Sequence, residues 1–294
     1  MGSPRWGIVS APSPAELPIR MRAPARSGLL LVCLAALSGP APARAVEDVE
    51  TTGPSGREIY DRLLANRFDA YQQRARLVSG DRAGNEQESR MVVLWKSFRD
   101  EHGESRKGAL SKTRIHYTHP FDLRFSGYLL IHNRDRADDQ FVYLASRRRI
   151  RRVNLRGEPV LGSDFSFEDV VPREIEDADY RRLPDERFDG RDCHVVEVTP
   201  KPGTDSEYSR FQSWIDRQRW VALRTSYWDR SGVQTKELRA PAAEVQEFDG
   251  VWVPMRTEMR NLLSGSYTVL QIEELVGNPE VADGEFDPRR LESH

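Results

Sequence analysis

Short runs in which every second residue is apolar recur along this 294-residue chain, and they limit its fold more than any other feature. In residues 89–98, for example, Met91, Val93 and Trp95 fall on one face of an extended segment. Similar runs follow at short, regular intervals: 113–117, 123–131, 140–144, 208–215, 220–228, 233–238, 251–261 and 266–275. The spacing predicts roughly ten strands in an antiparallel sheet or barrel.

Aspartate–glycine pairs mark two of the turns between these runs. The pairs at 189–190 and 249–250 each follow a phenylalanine and precede an apolar run. Because glycine adopts a positive φ without steric cost, such a pair between two strands predicts a tight hairpin. Residues 229–232 (Asp-Arg-Ser-Gly) predict another hairpin connection.

Helical patterns are expected at the start, in the middle and near the end of the chain. Residues 57–66 carry Ile59, Leu63 and Leu64 at helical spacing, with Ser55 as the N-cap. Residues 157–173 predict a loop with one or two short helices, capped by Asp164 or Ser166. We find no internal repeat, so after a linker at 46–55 we expect residues 56–294 to form a single domain.

The first 45 residues have the organisation of a secretory signal peptide. A basic head around Arg22 and Arg26 precedes an apolar run at 28–37 and a small-x-small site at 43–45. The apolar run is too short for a permanent membrane anchor, so we expect cleavage after residue 45 and a protein outside the cytoplasm. Met21 is the expected true start, and an uncleaved N-terminal anchor is the alternative.

Charge and cysteine content narrow the function. The whole chain has a net charge of −2. Residues 1–45 carry a net charge of +4, so residues 46–294 carry −6. A mildly acidic exported protein is a poor candidate for binding nucleic acid. Of the two cysteines, Cys33 lies in the signal and follows Val32, so lipidation is not expected there. Cys193 is expected to be a buried, inert thiol without a disulfide partner.

Signatures of catalysis and metal binding are missing from the sequence. We find no Gly-x-Ser-x-Gly, His-Glu-x-x-His, phosphate-binding loop or Cys-x-x-Cys motif. His116 and His119 are three residues apart on a predicted strand, which sends them to opposite faces. We therefore expect no cofactor, no metal and no enzymatic activity, with an exported hydrolase as the weakest alternative.

The densest charge run, residues 147–152 (Arg-Arg-Arg-Ile-Arg-Arg), has two interpretations. It could attract anionic lipid headgroups or nucleic acid. Alternatively, it is an edge strand that its charges protect from aggregation, with the acidic residues 174–179 as ionic partner. The second interpretation is favoured.

Several longer motifs resemble a known family. They are 139–146 (Asp-Gln-Phe-Val-Tyr-Leu-Ala-Ser), 148–153, 162–169 (Gly-Ser-Asp-Phe-Ser-Phe-Glu-Asp), 214–216, 236–238, 249–254 and 259–261. With them the chain resembles the outer-membrane lipoprotein-sorting protein family, a branch of the LolA-like superfamily, over residues 56–292.

The resemblance implies a mainly β, α+β fold: an incomplete antiparallel β-barrel, or LolA/LolB-like half barrel, that encloses short helices. It further implies a periplasmic carrier that holds acyl chains on its concave face, with the helices as a lid. Relatives of this branch often accompany RND-type exporters. Classical carriers close the lid through an arginine, which the resemblance does not match to any one residue here.

The expected function is a monomeric periplasmic carrier or chaperone for lipid or the acyl chains of lipoproteins, in transient contact with the membrane. Residues 157–172 are the expected lid. The alternative is an adaptor subunit of an RND-type exporter without lipid, which predicts a filled core and an exposed apolar patch. Alternation and bulk give the candidate cleft lining: Trp95, Phe125, Leu129, Tyr143, Trp214, Tyr227, Met255 and Met259.

Overall fold

Alternating runs of apolar residues build one large antiparallel sheet. The computed structural model describes residues 53–292 except 156, 161, 172 and 205, so the expected signal peptide and most of the linker lie outside the described residues. The strands are β1 Ala70–Gly80, β2 Glu86–Ser97, β3 Ala109–His119, β4 Gly127–Asn133, β5 Asp139–Leu144, β6 Arg149–Val153, β7 Ala178–Phe188, β8 Arg191–Pro200, β9 Tyr208–Asp216, β10 Ala222–Asp229, β11 Gln234–Arg239, β12 Val245–Phe248, β13 Val251–Pro254, β14 Arg256–Asn261 and β15 Tyr267–Gly277.

Thirteen of these strands form the main sheet, and its two ends remain open. Their order is β6-β5-β4-β3-β2-β1-β15-β14-β11-β10-β9-β8-β7, so β6 and β7 are the edge strands, and β12 and β13 form a separate hairpin. The incomplete antiparallel barrel is thereby confirmed. The fifteen strands of the described residues exceed the predicted ten for three reasons: β1, β7 and β12 carry too many polar residues to show a clear alternation, β6 consists mostly of arginine, and the predicted run at 251–261 is divided into β13 and β14.

The predicted Asp-Gly hairpins are present. Asp189 and Gly190 have φ values of 47° and 75° between β7 and β8, and Asp249 and Gly250 have 50° and 84° between β12 and β13. Two successive positive φ values define a type I′ turn, whose twist matches that of the flanking strands.

The helical segments also begin where the sequence predicts. Helix α1 spans Gly56–Ala65; Ser55 accepts the Glu58 N–H at 3.2 Å, and the Glu58 carboxylate accepts the Ser55 N–H at 2.7 Å. This capping box satisfies two backbone donors that the helix itself leaves free. Helix α2 spans Phe167–Val170 with Ser166 as its N-cap. The C-terminal helix takes the form of two 3₁₀ segments, Asp283–Phe286 and Pro288–Glu292.

Apolar side chains separate onto two faces of the sheet. We call the face that carries α1 and α2 the inner face; it holds the main core, which includes Ile59, Tyr60, Val93, Ile115, Tyr128, Leu130, Phe167, Val196 and Phe211. The opposite, outer face holds two smaller clusters. The C-terminal 3₁₀ segments cover one of them through Phe286 and Leu291, and the β12–β13 hairpin and the residues before it cover the other through Val245 and Trp252.

Among the described residues, no helix is both long enough and apolar enough to cross a membrane.

Candidate functional site

Aromatic contacts fill the centre of the inner face. The ring of Tyr60 on α1 lies 4.8 Å from that of Tyr180 and 6.4 Å from that of Phe211, between ring centroids. On α2, the ring of Phe167 lies 4.6 Å from that of Tyr128. Tyr128 belongs to β4 and Tyr180 to β7, which lie in opposite halves of the strand order. Helix α2 therefore contacts one half of the sheet and α1 the other. The protein's own side chains therefore occupy the middle of the concavity.

Two apolar cavities remain on either side of this centre. The first, which we call the β6 cavity, has a volume of about 410 Å³ and lies between β3–β6 and the segment that leads to α2; its apolar walls include Ile115, Tyr117, Tyr128, Val142, Leu155 and Phe167. The second, the α1 cavity, has about 440 Å³; its walls include Leu63, Leu64, Tyr71, Trp95, Trp220 and Trp252. Both volumes lie in the range of roughly 300–1,000 Å³ that is typical of ligand pockets.

A polar cleft of about 710 Å³ lies between the two edges of the sheet. His132 on β4 contributes to it; its Nδ1 lies 2.9 Å from Asp138 and its Nε2 3.5 Å from Glu174. Burial lowers the pKa of His132, but the two carboxylates raise it further, to about 9. Arg99 also pairs with Glu174, and paired charges make the lining of this cleft more polar than that of the two cavities.

The structure places three of the candidate lining residues on the inner face. Trp95 lines the α1 cavity and stacks on Tyr71 with the ring centroids 5.6 Å apart. Tyr227 and Met259 belong to the main core, where Tyr227 packs against Phe211 at 5.9 Å and Met259 is fully buried. Of these three, only Trp95 borders a cavity.

Three other candidates lie in the outer clusters instead. Leu129 and Tyr143 pack beneath the C-terminal 3₁₀ segments, and Trp214 packs against the cluster near the β12–β13 hairpin. Tyr143 also borders the β6 cavity. On β4, Tyr128, Leu129 and Leu130 are all buried, so the strand is apolar on both faces. Alternation alone cannot distinguish the inner face of such a strand.

The last two candidates lie where strands are interrupted. Phe125 is in the β3–β4 turn at a φ of 68°, with the Arg124 guanidinium 4.6 Å from its ring centroid. Met255 separates β13 from β14; it is buried, and its N–H donates to the Glu244 carbonyl at 2.9 Å. The predicted single run over 251–261 is thus two strands, and its alternation changes at Met255.

Sequence reasoning missed most of the α1 cavity. Trp220 lies in the turn before β10 at a φ of 54°. Trp252 lies on the separate hairpin, where it contacts both the outer cluster and this cavity. Neither position follows from strand alternation. The sequence does indicate Leu63 and Leu64, as the apolar side of α1, and Trp95, through its position in β2.

Polar side chains fasten the loop and helix that were expected to form a lid. Asp164 accepts hydrogen bonds from Ser266 at 2.5 Å and from Thr268 at 2.9 Å, both at or next to β15. Asp169 on α2 accepts a hydrogen bond from Tyr208 at 2.8 Å. Burial and this carboxylate raise the pKa of Tyr208, so its phenol remains a donor.

Buried Glu168 adds a third attachment for α2. Its carboxylate accepts hydrogen bonds from the Ser206 hydroxyl at 2.5 Å and the Glu207 N–H at 2.9 Å. The Arg173 guanidinium lies 3.5 Å from the same carboxylate. Movement of residues 157–171 away from the sheet must therefore break several hydrogen bonds together.

The arginine run occupies an edge strand, as the favoured interpretation predicts. Arg149–Val153 is β6, the first strand of the sheet order. The predicted ionic partner is wrong, however, because Arg152 pairs with Asp139 on the adjacent strand. In the acidic segment, Glu174 pairs with Arg99 and Glu176 with Arg57. Those residues follow α2 and connect to α1 and to the segment after β2 rather than to β6.

Cys193 is buried in the outer cluster near the β12–β13 hairpin. Burial, assisted by Asp216, raises the pKa of its thiol to about 11, so the thiolate is disfavoured at neutral pH. Within the described part of the chain, no group of three or more His, Cys, Asp or Glu residues is arranged to hold a metal ion.

Comparison with known proteins agrees with this architecture. The model of a family described as uncharacterized proteins matches residues 109–293, more than half of the chain. A solved structure from Vibrio parahaemolyticus, described as an outer-membrane lipoprotein-sorting protein domain, has a TM-score of 0.72 at 23% identity and covers 81% of this chain and 98% of its own. A DUF1329 family protein from Desulfovibrio piger has a TM-score of 0.73 at 23% identity, with coverages of 81% and 100%.

A LolA superfamily protein from Nitrosomonas europaea is also similar, with a TM-score of 0.62 at 19% identity and coverages of 80% and 98%. Among curated proteins, none matches the sequence significantly. At these identities the solved structures establish the fold. The chain therefore belongs to the family whose model spans residues 109–293, and it has the LolA-like fold of the outer-membrane lipoprotein-sorting proteins.

Proposed function

We propose that this protein is a carrier that shields acyl chains of lipids or lipoproteins from water. The observation that carries the proposal is the pair of apolar cavities left open on the helix-bearing face of an unclosed sheet. Its fold is shared with a protein described as a lipoprotein-sorting domain, which supports the same class of ligand.

The energetics suit a carrier without catalytic groups. Each exposed methylene costs about 0.8 kcal/mol in water, so shielding some fourteen of them is worth roughly 10 kcal/mol before entropic losses. Aliphatic and aromatic side chains provide this gain simply by replacing water around the acyl chain, so no catalytic group is needed. The aromatic walls of the α1 cavity (Tyr71, Trp95, Trp220 and Trp252) are of this kind.

The expected signal peptide supports a periplasmic location for this carrier. There we propose that it works as a monomer, touches membranes only while it loads or unloads, and delivers its cargo toward the outer membrane. An inner-membrane exporter of the RND type is the proposed donor. Residues 157–171 are the proposed lid, since Glu158, Pro159 and Phe167 of this stretch line the β6 cavity.

Tryptophan fluorescence offers a direct test of lipid binding. Trp95, Trp220 and Trp252 line the α1 cavity, whereas Trp214 lies in an outer cluster and Trp228 packs under Arg210. A brominated fatty acid bound in this cavity should quench the first three because bromine atoms quench nearby indoles. We expect quenching of the delipidated protein and of a control, Trp214→Phe/Trp228→Phe.

The matched variant Trp95→Phe/Trp220→Phe/Trp252→Phe should lose most of this quenching while keeping its circular dichroism spectrum. A delipidated protein that binds neither the brominated fatty acid nor any other single-chain lipid probe would refute the carrier function.

A second candidate function is an exporter adaptor without lipid of its own. The filled centre of the inner face favours it, as do exposed apolar side chains on two turns: Phe121 is 89% exposed and Leu263 is 64% exposed. It predicts capture of an exporter's periplasmic domain by wild-type protein and loss of capture in Phe121→Ser/Leu263→Ser. Lipid extraction from the same purified protein separates this function from the first.

A further inference from the structure

Strand β6 places arginine side chains at the rim of an apolar cavity. In the register of the sheet, Arg149 lies opposite Leu144 and Arg151 lies opposite Val142. Val142 packs against the main core, so these positions belong to the inner face. Arg147, Arg149 and Arg151 all border the β6 cavity and are exposed.

These guanidinium groups are free for an outside partner. Within the described residues, no carboxylate lies within ion-pair distance of Arg147, Arg149 or Arg151, although Glu158 borders the same cavity. Arg152 differs, because it alternates to the other face and pairs with Asp139. Protection of an edge strand from aggregation explains why β6 is charged. It does not explain why the unpaired charges border an apolar cavity.

The unpaired arginines at the rim and the apolar wall of the cavity together favour one class of ligand. A guanidinium group binds phosphate or carboxylate oxygens through two parallel hydrogen bonds, and it does so best where water is partly excluded. The wall beneath is apolar, with Val142, Leu155 and Phe167 facing the space. A molecule that satisfies both surfaces has an acyl chain and an anionic headgroup.

We propose that the β6 cavity binds an anionic amphiphile, with its acyl chain inside and its phosphate held by Arg149 and Arg151. This inference rests on the proposed carrier function and specifies its cargo. Zwitterionic lipids offer the same chain and phosphate but also a positive group, whose repulsion by the arginines offsets the attraction of the phosphate. The cavity therefore selects its ligand by headgroup charge.

The test compares two single-chain lipids: lysophosphatidylglycerol, which is anionic, and lysophosphatidylcholine, which is zwitterionic. Each lipid is titrated into the protein by calorimetry below its critical micelle concentration. The variant Arg149→Gln/Arg151→Gln removes the rim charges. Its control, Arg148→Gln/Arg152→Gln, removes two charges from the same stretch, away from the cavity, and leaves Asp139 paired with Arg136.

We expect wild type and control to bind the anionic lipid more tightly than the zwitterionic one. In the rim variant, the ratio of the two dissociation constants should fall about tenfold, as expected for the loss of charge-assisted hydrogen bonds. Zwitterionic binding should stay within about twofold in all three proteins. Equal loss in both double variants, or no loss in the rim variant, would overturn the inference while leaving the carrier function intact. Competition by glycerol 3-phosphate as strong as that by the lipid would identify a phosphate site instead. Absence of binding by either lipid would count against the carrier function itself.

Discussion

At the scale of single residues, His132 is the titratable side chain whose environment has the clearest consequence. It is largely buried between Asp138 and Glu174, at 2.9 and 3.5 Å, and it joins β4 to the segment that follows α2. Its pKa of about 9 lies above the value near 6.5 of an unfolded chain. The imidazolium therefore stabilises the folded state.

This shift predicts a loss of stability at alkaline pH. Because the folded-state pKa is raised, the contribution is complete below about pH 6.5 and disappears as the pH rises through about 9. We expect the free energy of unfolding of the wild type to fall by about 3 kcal/mol more than that of His132→Gln over this range. Urea unfolding at pH 6 and pH 9.5 measures the difference, and parallel curves for the two proteins would contradict it.

Residue-level assignments were the weakest part of the sequence prediction. Alternation placed Trp95, Tyr227 and Met259 on the inner face, but Leu129 and Trp214 belong to outer clusters. The outer face is covered by the C-terminal 3₁₀ segments and by the β12–β13 hairpin, so both faces of several strands are apolar. The position of those covers depends on long-range packing, which no local pattern encodes.

At the scale of elements, the sequence correctly predicts the features that neighbouring residues determine by themselves. The capping box of α1, the Asp-Gly hairpins and the edge position of β6 each depend on a few neighbouring residues. Ionic partners were not predictable in this way. Asp139 was available to Arg152 only because β5 and β6 pair in a register that puts them on the same face.

The loop before α2 provides the prediction at this scale. Thr268 is fully buried; its hydroxyl donates to the Asp164 carboxylate and accepts the Asp164 N–H, both at 2.9 Å. The isosteric change Thr268→Val leaves both Asp164 groups without that partner, which costs about 1–3 kcal/mol. If residues 157–171 open as a lid, hydrogen exchange measured by mass spectrometry should accelerate there by about tenfold.

Thr225→Val is the matched control, because Thr225 is also buried and its hydroxyl lies 3.1 Å from that of Ser213, away from the loop. Exchange in residues 157–171 should be unchanged in this protein. Uniform acceleration across the whole sheet in Thr268→Val would mean that the loop opens only with global unfolding, and the lid would have to be sought elsewhere.

At the scale of the whole molecule, the sheet creates more hollow than its helices fill. Among the described residues, thirteen strands curve around one ten-residue α-helix and one four-residue α-helix, whose aromatic side chains fill only the centre of the inner face. Among the described residues, the β6 cavity and the α1 cavity are two apolar spaces left beside the helices, and they share no lining residue. The sequence predicts a single hydrophobic cleft, because it indicates the strands but not where the helices pack against them.

Two separate cavities predict two separate bound chains. Val142 lines only the β6 cavity and Ala222 only the α1 cavity, so Val142→Phe and Ala222→Phe each place a larger side chain in one of them. Native mass spectrometry with a single-chain fatty acid should then show up to two ligands on the wild type, one on each variant and none on the double variant. Because each phenylalanine enters empty space, we expect less than the 1–3 kcal/mol loss of stability that is typical of overpacked cores. A wild type that binds one fatty acid, lost equally in either variant, would show instead that the cavities join around the central aromatic residues into a single tunnel when ligand enters.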